Sequence, residues 1–162
     1  MIERRENIVH NIFTVLIYIE SNIMFRVDIV EEAKEEIRNL FKTDENQAGR
    51  LFAVIEELSK NCVSIDDLTY PGFECKDFNV DAIWSIQNKM LRNMWRLKIF
   101  GFTKKAKFNL RYRVIYAPDY QRNTIHILGL MERDVNYEED KEFIAEIIRR
   151  YDCLGLSKLP RA

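Results

Sequence analysis

The chain has 162 residues, of which 47% are hydrophobic and 31% charged, a length and composition that suit one globular domain with a single core. No apolar run approaches the roughly 20 residues that span a bilayer, and no basic flank marks a targeting segment, so we predict a cytoplasmic protein. The chain has only two histidines and three widely spaced cysteines, so we expect neither a metal site nor a cofactor.

The formal net charge of −1 conceals an uneven distribution of charge along the chain. From Asp28 to Asp81 there are fourteen acidic and six basic residues, whereas from Gln87 to Arg122 there are ten basic residues and one acidic residue. Basic residues clustered on one face are typical of nucleic-acid-binding proteins. The alternative is that the acidic and basic parts neutralise each other across the fold.

The chain begins with two segments that have the composition of β-strands. Ile12–Glu20 and Ile23–Val27 are rich in Ile, Val, Phe and Tyr, and the dipeptide Ser21-Asn22 between them suits a tight turn. The pattern predicts either an N-terminal hairpin or a single strand of the main sheet, Ile23–Val27, preceded by an added element.

Two amphipathic helices are predicted next. Asp28, with Glu31 three residues later, has the spacing of a capping box and predicts the start of the first helix, whose apolar stripe covers residues 29–41. Thr43 is a candidate N-cap for the second helix, whose apolar stripe covers residues 48–58. The short link between the stripes predicts an antiparallel pair.

The middle of the chain has no regular apolar pattern. Residues 61–78 contain the turn signal Pro71-Gly72, which predicts a long irregular loop. Residues 83–91 predict either a short helix or an extended segment.

Three strand-like segments follow and predict an antiparallel meander. In Met94–Ile99 the apolar residues alternate with Arg96 and Lys98, and Arg111–Tyr116 has a similar alternation. Ile125–Leu130 is apolar almost throughout, as expected of a strand that is buried on both faces.

The last apolar stripe, Phe143–Tyr151, predicts a C-terminal helix that ends near Gly155. The complete order is one or two N-terminal strands, an antiparallel helix pair, a three-stranded antiparallel meander and a C-terminal helix. We therefore predict an α+β fold in a single domain over residues 1–162, with residues 1–22 as an N-terminal extension.

Five residues of the meander could act together on one phosphodiester. Alternation places Arg96 and Lys98 on one face of the sheet, and Arg113 lies on a neighbouring strand. Arg133 and Tyr137 follow the third strand directly. We expect these four cations and one phenol to converge on a concave surface.

Such a set has the chemistry needed to cleave RNA through its own 2′-hydroxyl, without metal, His or Cys. Guanidinium groups match the oxygens of a phosphorane, and a lysine beside arginines releases its proton more readily and can act as a base. A tyrosine can position the nucleophile or stack on a base. Cations on a sheet face also occur as solvated surface or as a site for an acidic partner, and both of these interpretations remain open.

The segment between the first two meander strands is the most basic part of the chain. Lys104, Lys105, Lys107 and Arg111 are therefore predicted to bind RNA. By contrast, we expect His126, which lies in an apolar strand, to be a hydrogen-bonded structural residue.

The motifs of the meander resemble those of the RelE/ParE superfamily of toxin–antitoxin toxins. The resemblance extends from about Ile23 to Tyr151 and is strongest in Trp95–Ile99, in Tyr112–Tyr116, and in Ile127–Arg133 followed by Tyr137. It implies a RelE-like fold and, for the RelE-like branch, a metal-independent endoribonuclease that cleaves mRNA in the ribosomal A site. It also implies a cognate antitoxin that covers the basic face or moves the C-terminal helix.

The resemblance assigns a role to each of the five meander residues. Lys98 would be the general base for the 2′-hydroxyl and Arg96 would help to position it. Arg113 would stabilise the phosphorane, Arg133 would assist the leaving group, and Tyr137 would orient or stack on the substrate. Two alternatives remain: an inhibitor of DNA gyrase, as in the ParE-like branch, or a non-catalytic binding protein with the same fold.

Overall fold

The computed structural model describes residues 25–58, 60, 63–136 and 139–160. The described elements are five β-strands and four α-helices in an α+β arrangement, which confirms the predicted class. In chain order they are β1 (Arg26–Ile29), α1 (Glu31–Thr43), α2 (Glu45–Leu58), β2 (Phe78–Ala82), α3 (Trp84–Met90), β3 (Trp95–Phe102), β4 (Lys107–Asp119), β5 (Thr124–Glu132) and α4 (Lys141–Cys153). No helix within these ranges has both the length and the apolar character that crossing a bilayer requires.

The strands form one sheet in the order β1-β5-β4-β3-β2. β1 runs parallel to β5, and the other neighbours are antiparallel, so the predicted meander of β3, β4 and β5 is confirmed. β2 was not predicted, because Phe78 was assigned to the end of the irregular loop and residues 79–82 were assigned to no element. It lies at the edge of the sheet beside β3.

Each face of the sheet carries its own apolar core. The larger core lies between the sheet and the predicted antiparallel pair α1 and α2, and it receives the apolar residues that alternate along β2 and β3. The smaller core lies on the opposite face, where α3 and α4 pack against β4 and β5. β5 is buried on both faces, as its continuous apolar run predicts.

An ion pair between a buried arginine and a partly exposed glutamate joins α1, β5 and α4. Arg150 is 9% exposed, and its Nη1 donates to Glu36 Oε1 at 2.6 Å and to the carbonyl of Leu128 at 2.9 Å. The other oxygen of Glu36 accepts the backbone N–H of Leu130 at 2.7 Å. A Cβ at Gly129 would lie 2.9 Å from Arg150 Nη1, so the absence of a side chain there makes room for the guanidinium.

The helix starts differ from the prediction. Asp28 lies within β1 and bonds to Arg26, so it does not cap α1, which begins at Glu31. Thr43 is the last residue of α1, and Asp44 supplies the cap of α2 by accepting the backbone N–H of Gln47 at 3.1 Å. The predicted strand segment before residue 25, and the hairpin that depends on it, lie outside the described residues.

Candidate functional site

The predicted cations of β3 and β4 project from the sheet face opposite the α1–α2 pair. The apolar residues of β3 are buried beneath that pair, so Arg96 and Lys98, which alternate with them, lie half-buried on the other face. In β4, Val114 belongs to the same buried core, which places the preceding residue Arg113 on the face of Arg96 and Lys98.

Lys98 and Arg113 are directly opposite each other in the β3–β4 ladder. Residues in that relation have Cβ atoms about 5 Å apart, close enough for both cations to contact one phosphate. The Arg113 side chain makes no hydrogen bond or ion pair with any of the described residues. On its other side Arg113 is opposite Met131, which is buried beneath α4, so the cations border the region that this helix covers.

A carboxylate that the sequence interpretation did not include lies beside these cations. Asp81 of β2 is opposite Arg96, and its Oδ2 accepts hydrogen bonds from Nε of Arg96 at 3.1 Å, from a terminal nitrogen of Arg96, and from Nζ of Lys98 at 2.9 Å. Burial opposes the ionisation of Asp81, but the bonds from Arg96 and Lys98 outweigh this effect and lower the pKa of Asp81. Two of the predicted cations therefore share one anionic partner.

Asp81 was missed because β2 was missed. The segment Phe78–Ala82 alternates between buried and half-buried residues, a pattern that marks a strand with one buried face. With only five residues after a turn-rich stretch, this alternation was too short to distinguish from loop. Pairing β2 with β3 is what brings an acidic residue into a row of cations.

Of the two predicted site residues that follow β5, the structure describes Arg133. Arg133 follows β5, is exposed, and donates its backbone N–H to the carbonyl of Arg111 at 2.7 Å. It is two residues beyond Met131, so it is a diagonal neighbour of Arg113 at about 7–8 Å between Cα atoms. Tyr137 lies outside the described residues. Arg96, Lys98 and Arg113 are thus adjacent, and Arg133 lies at the margin of their cluster.

The predicted RNA-binding lysines form a separate group. Lys104 and Lys105 are exposed in the turn between β3 and β4, and Lys107 bonds to Glu74 at 3.0 Å. Arg111 lies farther along β4 and pairs with Glu132 at 2.9 Å. Lys107 is six residues from Arg113, about 20 Å along an extended strand, so the turn and the Arg113 cluster cannot contact the same phosphate.

His126 is buried in β5, but the hydrogen bond predicted for it is not formed at Nε2 with any described residue. Its Nε2 lies 3.6 Å from Asp119 Oδ2 and has no hydrogen-bond partner within the described part of the chain. Although burial raises the pKa of Asp119, the side-chain and backbone bonds from Arg122 lower it overall. His126 lies in β5, and Asp119 ends β4 six residues beyond Arg113, about 20 Å along the strand, so neither residue contacts the candidate cations.

The arrangement can bind one phosphodiester and stabilise added negative charge on it. Forked guanidinium donors and an ammonium suit the equatorial oxygens of a phosphorane. Asp81 competes with that ligand for Arg96 and Lys98, while Arg113 is available to it. Within the described ranges no three His, Cys, Asp or Glu side chains are grouped so as to hold a metal ion.

Comparisons with known proteins give one structural likeness. No family model matches the chain, and no curated protein matches it. Among solved structures, a double mutant of the E. coli toxin RelE in the free state aligns with 78% of this chain and 96% of that chain, at 13% sequence identity and a TM-score of 0.40.

Proposed function

We propose that this chain is the toxin of a toxin–antitoxin system and a metal-independent endoribonuclease that cleaves mRNA on the ribosome. The observation that carries the proposal is the direct pairing of Lys98 with Arg113, with Arg96 on the same face and Arg133 at its margin. The motifs that resemble the RelE-like toxins contain these residues, and their order along the chain agrees with the proposed roles.

In the proposed reaction the 2′-oxygen of a ribose attacks the adjacent phosphorus. The P–O2′ bond forms, the P–O5′ bond breaks, and the products are a 2′,3′-cyclic phosphate and a 5′-hydroxyl. Lys98 takes the proton of the 2′-hydroxyl with Arg96 helping to position it, while Arg113 neutralises the charge that develops on phosphorus. Arg133 assists the leaving 5′-oxygen, which takes up a proton from solvent water to become the 5′-hydroxyl, and Tyr137 orients or stacks on the substrate.

In this scheme Asp81 competes with the substrate phosphate. In the free protein it occupies donors of Arg96 and Lys98 that the phosphate also needs. Binding of substrate therefore begins at Arg113 and proceeds by exchange of the Asp81 carboxylate for a phosphate oxygen. The cognate antitoxin would silence the protein by covering this face, which borders α4.

The same carboxylate favours a second candidate function, a non-catalytic binding protein with this fold. With Asp81 permanently paired, Arg96 and Lys98 would serve to hold β2 on β3, and Arg113 and Arg133 would contact an acidic partner. This candidate predicts binding without any loss of mRNA.

Induced expression in bacterial cells tests the proposal. The wild type should stop growth and deplete translated mRNA, whereas Arg113→Ala and Tyr137→Phe should restore growth. Arg26→Ala is the matched control because Arg26 is an exposed arginine on the opposite edge of the sheet. Equal, harmless growth of all variants with undiminished mRNA would contradict the nuclease, and growth arrest with DNA damage and intact mRNA would instead indicate an inhibitor of DNA gyrase.

A further inference from the structure

The β3–β4 ribbon, defined as residues 101–109, extends beyond the rest of the sheet. β2 pairs with β3 only as far as Ile99, and β5 pairs with β4 only from Tyr112 onward, so within the described residues the two strands of the ribbon pair with each other alone. The turn is ordered by Thr103, whose Oγ1 accepts the backbone N–H of Ala106 at 3.0 Å. The ribbon is thus a defined projection rather than a loose loop.

The ribbon is strongly basic. It contains three lysines and no acidic residue. Lys104 and Lys105 stand exposed in the turn and make no ion pair with any residue that the structure describes. Lys107 is held farther back, with its Nζ 3.7 Å from the ring centroid of Phe100 and 3.0 Å from Glu74. The two unpaired cations at the turn fit a polyanion.

Two aromatic rings flank these lysines with half of their surface in solvent. Phe102 is 48% exposed and Phe108 is 46% exposed. Phe108 packs across the ladder onto Gly101, where an added Cβ would lie 2.4 Å from the ring. The centroid of the Phe102 ring lies 5.3 Å from the guanidinium carbon of Arg50. The register pairs Phe108 with Gly101 and Phe102 with Lys107, so the two rings lie on opposite faces of the ribbon, and each leaves about half of its surface open to a stacking base.

We propose that the β3–β4 ribbon is a second nucleic-acid-binding surface, around which single-stranded RNA passes with bases stacked on Phe102 on one face and on Phe108 on the other, while Lys104 and Lys105 at the turn contact the phosphates. The inference rests on the RNA-directed function proposed above, but the ribbon is distinct from the Arg113 cluster. An RNA strand bound to the ribbon would lie about 20 Å from the Arg113 cluster, a distance of several nucleotides. The RNA would therefore enter the cleavage site from the side of the ribbon.

The order of the residues favours RNA over a lipid surface. A hairpin that inserts into a bilayer needs its large apolar side chains at the tip. Here the tip residues 103–107 are Thr, Lys, Lys, Ala and Lys, and the two rings are set behind them. This arrangement suits a chain that carries phosphates and bases side by side.

Binding of a fluorescent twelve-nucleotide oligoadenylate to the full chain tests the proposal. Phe102→Leu and Phe108→Leu keep an apolar side chain but remove the stacking face, and each should weaken binding by about fivefold or more. The exposed double substitution Lys104→Gln with Lys105→Gln should reduce the slope of log affinity against log salt by about 1.4, at about 0.7 for each phosphate contact. Tyr70→Leu and Lys141→Gln are matched controls, because both residues are exposed outside the ribbon.

Each outcome bears on the ribbon separately from the nuclease. Arg113→Ala should reduce mRNA cleavage by about a hundredfold or more, whereas any loss of oligoadenylate affinity that it causes should add to the loss caused by Phe102→Leu, because the two sites are about 20 Å apart. Wild-type affinity in both phenylalanine variants, an unchanged salt slope in the lysine variant, or no binding of oligoadenylate by the wild type would each overturn the ribbon proposal, even if mRNA is cleaved. Ribbon-dependent binding to phosphatidylserine vesicles without binding to oligoadenylate would also overturn it. Ribbon-dependent RNA binding without cleavage would support the ribbon and contradict the nuclease.

Discussion

Asp81 and Arg96 are opposite each other across the β2–β3 ladder, and the carboxylate of Asp81 accepts both Nε and a terminal nitrogen of the Arg96 guanidinium. The same oxygen accepts Nζ of Lys98 at 2.9 Å. The alternation in β3 and β4 predicts only cations on this face, but the carboxylate of Asp81 lies among them as a counter-ion. Arg113 is the member of the cluster that no described residue neutralises.

Replacing Asp81 with asparagine should increase affinity for RNA. The substitution keeps the size of the side chain but removes the charge that competes with phosphate for Arg96 and Lys98. We expect tighter binding of an oligouridylate and a salt slope steeper by about 0.7, equivalent to one additional phosphate contact.

The matched control is Asp152→Asn, which releases Arg92 from a similar ion pair on α4, away from the candidate site. Fluorescence anisotropy over a range of salt concentrations measures both quantities. If Asp81→Asn and Asp152→Asn have the affinity and salt slope of the wild type, Asp81 does not compete with RNA.

The order of elements was predictable from the sequence because the periodicity of each long element is unambiguous. The stripes of α1, α2 and α4 and the alternation in β3 and β4 each span enough residues to specify the element and its buried face. The same alternation predicted that Arg96 and Lys98 share a face.

The contribution of β2 to the site could not be predicted, because it depends on long-range pairing. Its five residues could be strand or loop by local pattern, and only their place beside β3 brings Asp81 to Arg96. Asp28 illustrates a related limit: its spacing to Glu31 suits a cap, but pairing of β1 with β5 extends the strand through Ile29 and moves the helix start to Glu31.

Glu36→Ala should destabilise the fold because it leaves the buried Arg150 and the N–H of Leu130 without their carboxylate partner. We expect a loss of about 2–3 kcal/mol in the free energy of unfolding, below the range for fully buried pairs because Glu36 is partly exposed. Urea denaturation measures the difference. Glu35→Ala, which removes an exposed pair with Arg38 on the same helix, should change the stability by about 0.5 kcal/mol or less, and equal losses in the two variants would contradict the structural role of Glu36.

Gly101→Ala should destabilise the ribbon and displace Phe108. The added Cβ would lie 2.4 Å from the Phe108 ring, so the ring must move away from the strand that supports it. We expect a loss of about 1–3 kcal/mol, by the overpacking mechanism. Gly49→Ala in α2 is the control, since nothing lies within 4 Å of its Cβ position, and it should stabilise the helix by about 0.5–1 kcal/mol. Thermal unfolding of both variants checks the prediction, which fails if Gly101→Ala is neutral.

Glu146 should contribute to the loss of stability in acid. Hydrogen bonds from Arg149 and then Arg150 lower the pKa of Glu146 from its ordinary value of 4.5 to about 2. Because the pKa is lower in the folded state, the stabilisation is fully present above pH 4.5 and is lost as the pH falls from 4.5 through about 2. In Glu146→Gln the urea midpoint should fall less steeply over this range than in the wild type, whereas Glu142→Gln should follow the wild type, since Glu142 forms no ion pair with the described residues. Parallel curves for wild type and Glu146→Gln would show that the carboxylate is not coupled to folding.

The central claim is that Lys98 and Arg113, which are opposite each other in the β3–β4 ladder, both contact the mRNA phosphate that the adjacent 2′-hydroxyl attacks. The most direct measurement is mapping of 5′ ends on a defined mRNA in purified translating ribosomes, with the wild type, Arg113→Ala and the control Arg26→Ala. We predict new 5′-hydroxyl ends in the A-site codon with the wild type and with Arg26→Ala, unaffected by a metal chelator, and a reduction of about a hundredfold or more with Arg113→Ala. Intact mRNA with the wild type, or equal cleavage by Arg113→Ala, would contradict the claim.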